Sequence, residues 1–83
     1  MAIYIRILKR CEDACAALYD FGWIDRPVGT VSLDKQTGEV SVVELTDPPP
    51  ADPDATFVVS CVRRKLRQHH EAGVYPDETA FRS

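Results

Sequence analysis

The chain has 83 residues, of which 45% are hydrophobic and 28% carry a charge. A chain of this length forms a single domain, here residues 1–83, and its balance of apolar and charged residues excludes intrinsic disorder. The formal net charge of −3 disfavours a dedicated nucleic-acid-binding domain, because such domains are usually basic.

The sequence contains no segment typical of a membrane span or a targeting signal. No stretch approaches the roughly 18 continuous apolar residues of a membrane helix. The first ten residues alternate in polarity and carry their charges late, unlike a signal peptide. Three cysteines, Cys11, Cys15 and Cys61, are an odd count that a disulfide scaffold does not usually have. We therefore expect a cytoplasmic protein with three reduced thiols.

The first predicted element is a strand near the amino terminus. Ile3, Ile5 and Ile7 alternate with Tyr4 and Arg6, and β-branched residues in strict alternation are typical of a strand with one buried face. This strand predicts a sheet that begins within the first few residues.

Residues 14–23 admit two interpretations. Several alanines before Gly22 are typical of a short helix. By contrast, Tyr19, Phe21 and Trp23 recur at every second position, which is typical of a strand. A helix of about nine residues is marginal in water, so we favour the strand.

Residues 30–45 predict a β-hairpin. Apolar and polar residues alternate on both sides of the segment Asp34-Lys-Gln-Thr-Gly-Glu39. The Asp34 carboxylate can accept hydrogen bonds from the backbone of the turn, and Gly38 can adopt the positive φ that such turns need. The hairpin therefore indicates an antiparallel sheet.

The periodicity becomes helical after a proline-rich segment at residues 47–54, which cannot continue a sheet. A helix over residues 53–72 is predicted, with Asp52 as its cap and Gly73 at its end. The residues 74–83 that follow are apolar enough to pack back on the domain. The apolar stripe of the helix comprises Ala55, Phe57, Val58, Cys61, Val62 and Leu66.

These elements predict an α+β fold. The sheet is expected to be an antiparallel meander of about four strands, or three if residues 14–23 are helical. The amphipathic helix would cover one face of it, because an apolar sheet face must be buried. A hairpin followed by one amphipathic helix is similar in outline to many small bacterial proteins, and this general likeness implies no activity.

The helix is predicted to present Arg63, Arg64, Arg67 and His70 away from its apolar stripe. Guanidinium groups bind carboxylates and phosphates through paired hydrogen bonds, so this face can bind an acidic protein or a nucleic acid. The absence of an aromatic residue between Phe57 and Tyr75 disfavours nucleic acid. The alternative is a solvated face whose cations favour the carboxyl-terminal half of the helix.

The cysteines and histidines offer a weaker zinc hypothesis. Cys11 and Cys15 with His69 or His70 supply the right ligand types, but adjacent helical histidines point about 100° apart and leave only three ligands. We therefore predict no metal and no cofactor. Cys61 is predicted to be a core residue, because it lies on the apolar stripe of the helix. Catalysis through its thiol is disfavoured, because His69, eight positions away on the same helix, cannot contact it.

The aromatic residues of the second element also have two interpretations. Tyr19, Phe21 and Trp23 could form an exposed patch that binds a partner. We favour a position in the core, because a domain this small needs its largest side chains inside.

Taken together, these patterns predict a non-enzymatic protein-interaction module. The expected partner is an acidic protein at the helix face or a second copy at the sheet surface. Nucleic acid at Arg63–Arg67 is the alternative function. The sequence has no glycine-rich phosphate loop, and its paired carboxylates lie at predicted turns or caps, where acids serve local structure.

Overall fold

The computed structural model describes residues 4–23, 26–45 and 54–82. The strands form one antiparallel sheet in the order β4-β3-β2-β1-β5, and the helix packs on one face of it. The predicted α+β class is therefore confirmed. In chain order the elements are β1 Tyr4–Glu12, β2 Ala16–Trp23, β3 Arg26–Asp34, β4 Val40–Leu45, α1 Asp54–Ala72 and β5 Glu78–Arg82.

The segment with two interpretations is a strand. β2 pairs with β1 on one side and with β3 on the other, so it is the central strand of the sheet. Ala17, Tyr19 and Phe21 are buried while the residues between them are less so. The period-two pattern therefore outweighed the helix propensity of the alanines, because the burial of alternate side chains on one face decides the secondary structure of so short a segment.

The predicted hairpin is also confirmed. The Asp34 carboxylate accepts hydrogen bonds from the backbone N–H groups of Gln36 and Thr37, at 2.8 and 3.2 Å. Gly38 adopts φ +81°, and its N–H donates to the Asp34 carbonyl at 2.7 Å. Side-chain and glycine chemistry together fix the register of β3 against β4.

Helix α1 ends where the sequence predicts. Gly73 has φ +73°, and its N–H donates to the His70 carbonyl while Val74 N–H donates to the His69 carbonyl, both at 3.0 Å. These two bonds are the Schellman arrangement that satisfies the last carbonyls of a helix. The proline-rich segment, Ile3 and the predicted cap at Asp52 lie outside the described residues.

The apolar stripe of the helix differs from the prediction at Phe57. Val58, Val62 and Leu66 are almost completely buried, whereas Phe57 is 46% exposed. One residue along a helix turns the side chain by about 100°, so the residue before Val58 points away from the sheet. Phe57 therefore belongs to the surface and not to the core.

The tail contributes a strand that was not predicted. β5 pairs antiparallel with β1 from Tyr4↔Arg82 to Leu8↔Glu78, so the sheet has five strands instead of about four. Only the packing of this tail on the domain was expected, because Thr79-Ala80-Phe81 is too short to show a period. The free edge of β1 provides the backbone partners that make these residues a strand.

The core lies between the sheet and α1. Tyr19 is its largest completely buried side chain, and its hydroxyl donates to the Pro76 carbonyl at 3.1 Å. Burial raises the pKa of this phenol above its ordinary value, so it stays a neutral donor at physiological pH. The core cluster comprises Ile5, Ile7, Ala17, Tyr19, Phe21, Val28, Val31, Leu33, Val40, Val58, Cys61, Val62 and Leu66.

Replacing Leu66 with alanine should lower the free energy of unfolding by about 3 kcal/mol, because the change leaves a cavity beneath the single covering helix. Leu66 is 0% exposed. Urea unfolding followed by circular dichroism measures the change. The matched control, Gln68→Ala on the exposed side of the same helix, should stay within about 0.5 kcal/mol of the wild type. Equal effects of the two substitutions would contradict this account of the core.

Candidate interaction surface

Three arginines share the solvent side of α1. The helix buries Val58, Val62 and Leu66 against the sheet, and its period of 3.6 residues turns the opposite side to water. The exposed arginines line one shallow groove there. We call this surface the arginine face; its lining residues are Ser60, Arg63, Arg64, Arg67, Gln68 and Glu71.

Arg6 and Arg10 of β1 pair with carboxylates, whereas the arginines of the arginine face do not within the part of the chain that the structure describes. Arg10 Nη2 lies 3.0 Å from Asp20 Oδ1, and Arg6 Nη2 lies 4.0 Å from Glu78 Oε2. Among the described residues, no carboxylate lies within 4 Å of Arg63, Arg64 or Arg67. Their guanidinium donors therefore remain available to an external acceptor.

His70 does not join the arginine face, which corrects its predicted position. Its side chain is half-buried, and its Nδ1 lies 2.9 Å from the Tyr75 hydroxyl oxygen. A Cβ atom placed on Gly38 would lie 2.6 Å from His70 Cδ2, so the imidazole packs directly on the β3–β4 turn. The contact with the turn, which is distant in sequence, holds the ring at the flank of the helix.

The cysteines and histidines of the zinc hypothesis have separate surroundings. Cys11 and Cys15 are exposed, while the Nε2 of His69 lies 3.0 Å from the Thr79 hydroxyl oxygen. Burial, with a smaller effect of Lys65, lowers the pKa of His69. Within the described ranges no three His, Cys, Asp or Glu side chains are grouped to hold a metal ion.

Cys61 lies in the core, as predicted from the helical stripe. It is 7% exposed, and burial raises the pKa of its thiol. A raised thiol pKa lowers the fraction of thiolate, which is the nucleophilic form. The buried position and the protonated thiol of Cys61 both fit a role in core packing and not one as a nucleophile.

The exposed aromatic patch is not formed by Tyr19 and Phe21. These two side chains are 0% and 2% exposed and belong to the core, while Trp23 is half-buried and packs against it. The inward face of the central strand takes the largest side chains, because one helix can bury them only there. The core interpretation is therefore the right one for Tyr19 and Phe21.

An ion-pair network that sequence reasoning missed joins the turns at one end of the sheet. We call it the turn-end network and define it as Lys9, Glu12, Lys35 and Asp77. Lys9 Nζ lies 2.5 Å from Glu12 Oε1 and 3.0 Å from Asp77 Oδ1. The second Glu12 oxygen, Oε2, pairs with Lys35. The network thus ties the β1–β2 turn, the β3–β4 turn and the loop before β5 together.

Backbone groups and a ring complete the surroundings of these ammonium groups. Lys9 Nζ donates to the Tyr75 carbonyl at 3.0 Å, and Lys35 Nζ donates to the Asp13 carbonyl at 2.7 Å. Lys35 Nζ also lies 4.9 Å from the centre of the Tyr75 ring, a favourable cation–π distance. Lys9 and Glu12 lie three residues apart in β1, but Lys35 and Asp77 come from distant parts of the chain, so no local sequence pattern predicts the whole network.

The electrostatics of the turn-end network suit a structural role. Hydrogen bonds to Glu12 and Asp77 raise the pKa of Lys9, so the amine keeps its proton and cannot act as a base or nucleophile near neutral pH. Hydrogen bonds from Lys35 and Lys9 lower the pKa of Glu12. The network therefore stays charged and holds the turns without offering reactive groups.

Comparisons with protein-family models, with curated proteins and with solved structures gave no match. Among the described residues, the helix is not apolar enough over a sufficient length to cross a membrane.

Replacing Glu12 with glutamine should reduce the dependence of stability on acid pH. A carboxylate whose pKa is lowered by folding stabilises the fold fully above its unfolded pKa of about 4.3, and this contribution is lost as pH falls through the lower folded value. Urea unfolding at pH 7, 5, 4 and 3 should therefore show a shallower decline for Glu12→Gln.

The control for this comparison is Glu39→Gln, an exposed hairpin residue outside the turn-end network. The variant with the control substitution should keep the wild-type decline. If Glu12→Gln follows the wild type at every pH, the ion pairs of Glu12 do not stabilise the fold.

Two glycine substitutions separate backbone strain from the packing of His70. Gly38 and Gly73 both have positive φ, but a Cβ atom meets His70 only at Gly38 and meets nothing within 4 Å at Gly73. Gly38→Ala should therefore lower the free energy of unfolding by at least about 1 kcal/mol more than Gly73→Ala does. Thermal or urea unfolding measures both, and equal losses would mean that His70 does not pack on the turn.

Proposed function

We propose that this protein is a non-enzymatic interaction module that binds an acidic protein partner through Arg63, Arg64 and Arg67. The observation that carries the proposal is the set of exposed guanidinium groups without a carboxylate partner among the described residues. Arginine binds carboxylates in a bidentate geometry that gives orientation as well as attraction. A partner with paired or clustered carboxylates fits this surface best.

The charge distribution of the chain supports an acidic partner of limited size. Residues 55–68 hold four basic and no acidic residues, so the remaining 10 − 4 = 6 basic and 13 acidic residues carry −7. The attractive region is therefore confined to one side of a small acidic protein. A long polyanion would extend beyond this basic region and be repelled by the acidic surface of the rest of the protein. A protein partner can instead present carboxylates only opposite the arginines.

Phe57 gives the same face an apolar anchor. Its side chain is 46% exposed, and it precedes Arg64 by seven residues, which places the two about 20° apart around the helix. Ser60 lies between them and lines the groove. Aromatic residues and arginine are enriched in the buried centres of protein–protein interfaces. An exposed aromatic ring beside arginines favours a protein partner over a polyanion that would bind by charge alone.

The proposal is tested by affinity capture from lysate of the source organism after nuclease treatment. The wild type should retain a protein at a near-stoichiometric level. Arg63→Gln with Arg67→Gln should lose that protein, because two of the three bidentate donors are gone. Since this double variant changes the net charge by −2, the matched control adds two negative charges elsewhere, by Gln36→Glu with Ser41→Glu at exposed hairpin positions.

The control variant should retain the partner, and capture that is the same for all three proteins would overturn the proposal. Binding of duplex and single-stranded oligonucleotides at about 50 and 200 mM salt supplies the alternative outcome, because phosphate contacts give a steep salt dependence. Tight oligonucleotide binding that disappears in the arginine variant and falls steeply with salt would assign the face to nucleic acid instead.

An acidic partner that uses Phe57 as well should respond to Phe57→Ala. Truncation of an interface anchor commonly costs about 2 kcal/mol, which is roughly a thirtyfold loss of affinity, while the free energy of unfolding should change little because the ring is exposed. Isothermal titration with the captured partner measures the first quantity and urea unfolding the second. An unchanged affinity would confine the interaction to the arginines.

A further inference from the structure

We propose that two copies of this chain associate through β5, by antiparallel pairing of the two strands about a twofold axis at Ala80. The surface differs from the arginine face, so this inference goes beyond the proposed function and does not depend on it. The occupant of the β5 edge is a second copy of the same chain.

The free edge of β5 is regular. β5 pairs with β1 without a shift in register, and within residues 4–23, 26–45 and 54–82 no strand pairs with its other side. A regular edge presents a row of N–H and C=O groups that another strand can bind. Backbone complementarity alone therefore permits the addition of a strand.

The alternation of hydrogen bonds between β1 and β5 shows which backbone groups of β5 point to its free edge. Lys9 N–H donates to the Asp77 carbonyl at 2.8 Å, in line with the register that pairs Leu8 with Glu78. Because bonded and non-bonded pairs alternate along an antiparallel ladder, Thr79 and Phe81 also bond to β1. The backbone groups of Glu78, Ala80 and Arg82 therefore point to the free edge.

Charge selects one register for the pairing of two β5 strands. With Ala80 opposite Ala80 of the second copy, Glu78 lies opposite Arg82 on both sides of the axis, and each of these pairs can exchange two backbone bonds. A shift that opposes Glu78 with Glu78, or Arg82 with Arg82, brings like charges together. Shifts that oppose Ala80 with either charged residue leave the other charge without a partner. Only the register at Ala80 places each Glu78 opposite an Arg82. It also lets the backbone groups of Glu78, Ala80 and Arg82 all bond to the second copy.

Both charged side chains of β5 already make one contact with a residue of β1. Arg6 Nη2 lies 4.0 Å from Glu78 Oε2, and the guanidinium carbon of Arg82 lies 5.2 Å from the centre of the Tyr4 ring. Because both partners lie on β1, an ion pair across the axis shares or replaces these contacts, so the charges set the register of the pairing more than its strength.

The other edge of the sheet is less suited to pairing. The register of β3 against β4 shifts between Thr30 and Val31, which places a bulge in the middle of β4, and bulges interrupt an edge. β4 does expose Val42 and Val43, but its described residues carry only Glu44 as a charge, so two β4 strands offer each other no opposite charge. The charges and the unbroken ladder both favour β5.

The interface is a strip five residues long, so association should depend on protein concentration. We expect analytical ultracentrifugation of the full chain, from about 10 µM to 1 mM, to show a monomer–dimer equilibrium. Glu78→Arg alone and Arg82→Glu alone should each weaken dimerisation by about tenfold, because two attractive pairs become repulsive. A wild type that stays monomeric over this range would overturn the proposal.

Mixing the two single variants supplies a test that misfolding cannot imitate. In a pair with one copy of each, every arginine faces a glutamate across the axis, so the equimolar mixture should dimerise as well as the wild type does. Two variants that remain as weak in the mixture as they are alone would show that these charges do not face one another. Dimers that respond to neither variant would place self-association on another face.

Ala80→Pro tests the backbone bonds separately from the charges. Its N–H points to the free edge, so proline removes a bond from the dimer and none from the β1–β5 ladder, and edge strands tolerate such a proline. Dimerisation should be lost while the free energy of unfolding of the monomer stays near that of the wild type. Dimerisation at wild-type strength would contradict the pairing. The variant Arg63→Gln with Arg67→Gln should dimerise normally, which separates this proposal from the function of the arginine face.

Discussion

The fold depends on the burial of one face of a five-stranded sheet beneath a single helix. Val58, Val62 and Leu66 cover a sheet face centred on Tyr19, and no second covering layer occurs among the described residues. Because the same helix must bury one side and solvate the other, its outward side is free to carry charge. The position of the arginines thus follows from the same constraint that makes the core.

The turn-end network secures the part of the sheet where the helix stops. Gly73 ends α1, and the chain then turns through Tyr75 and Asp77 into β5. Lys9 and Lys35 hold this connection by binding carboxylates and backbone carbonyls from three segments. The network also orders the loop in which the Pro76 carbonyl accepts a hydrogen bond from the Tyr19 hydroxyl. Polar contacts at the end of the sheet therefore support the packing of the core.

Local patterns in the sequence predicted what local chemistry decides. The alternation in β2, the Asp34–Gly38 turn and the helix end at Gly73 each depend on residues close together in the chain, and all three are confirmed. Contacts between distant residues were not predictable: β5 requires the edge of β1, and the half-buried position of His70 requires the hairpin turn. The arginines were identified from their spacing, but their lack of ion pairs is a property of the folded chain.

The pairing of β1 with β5 has a consequence for the order of folding. Leu33 pairs with Val40, whereas Leu8 pairs with Glu78, and closing this roughly tenfold longer loop costs about 2 kcal/mol more in chain entropy. The hairpins are therefore expected to form first and the outermost strand last. Until it docks, the edge of β1 stays open, and the chain passes through a state in which a neighbouring molecule can occupy that position. Rapid docking of the last strand is thus a safeguard against aggregation.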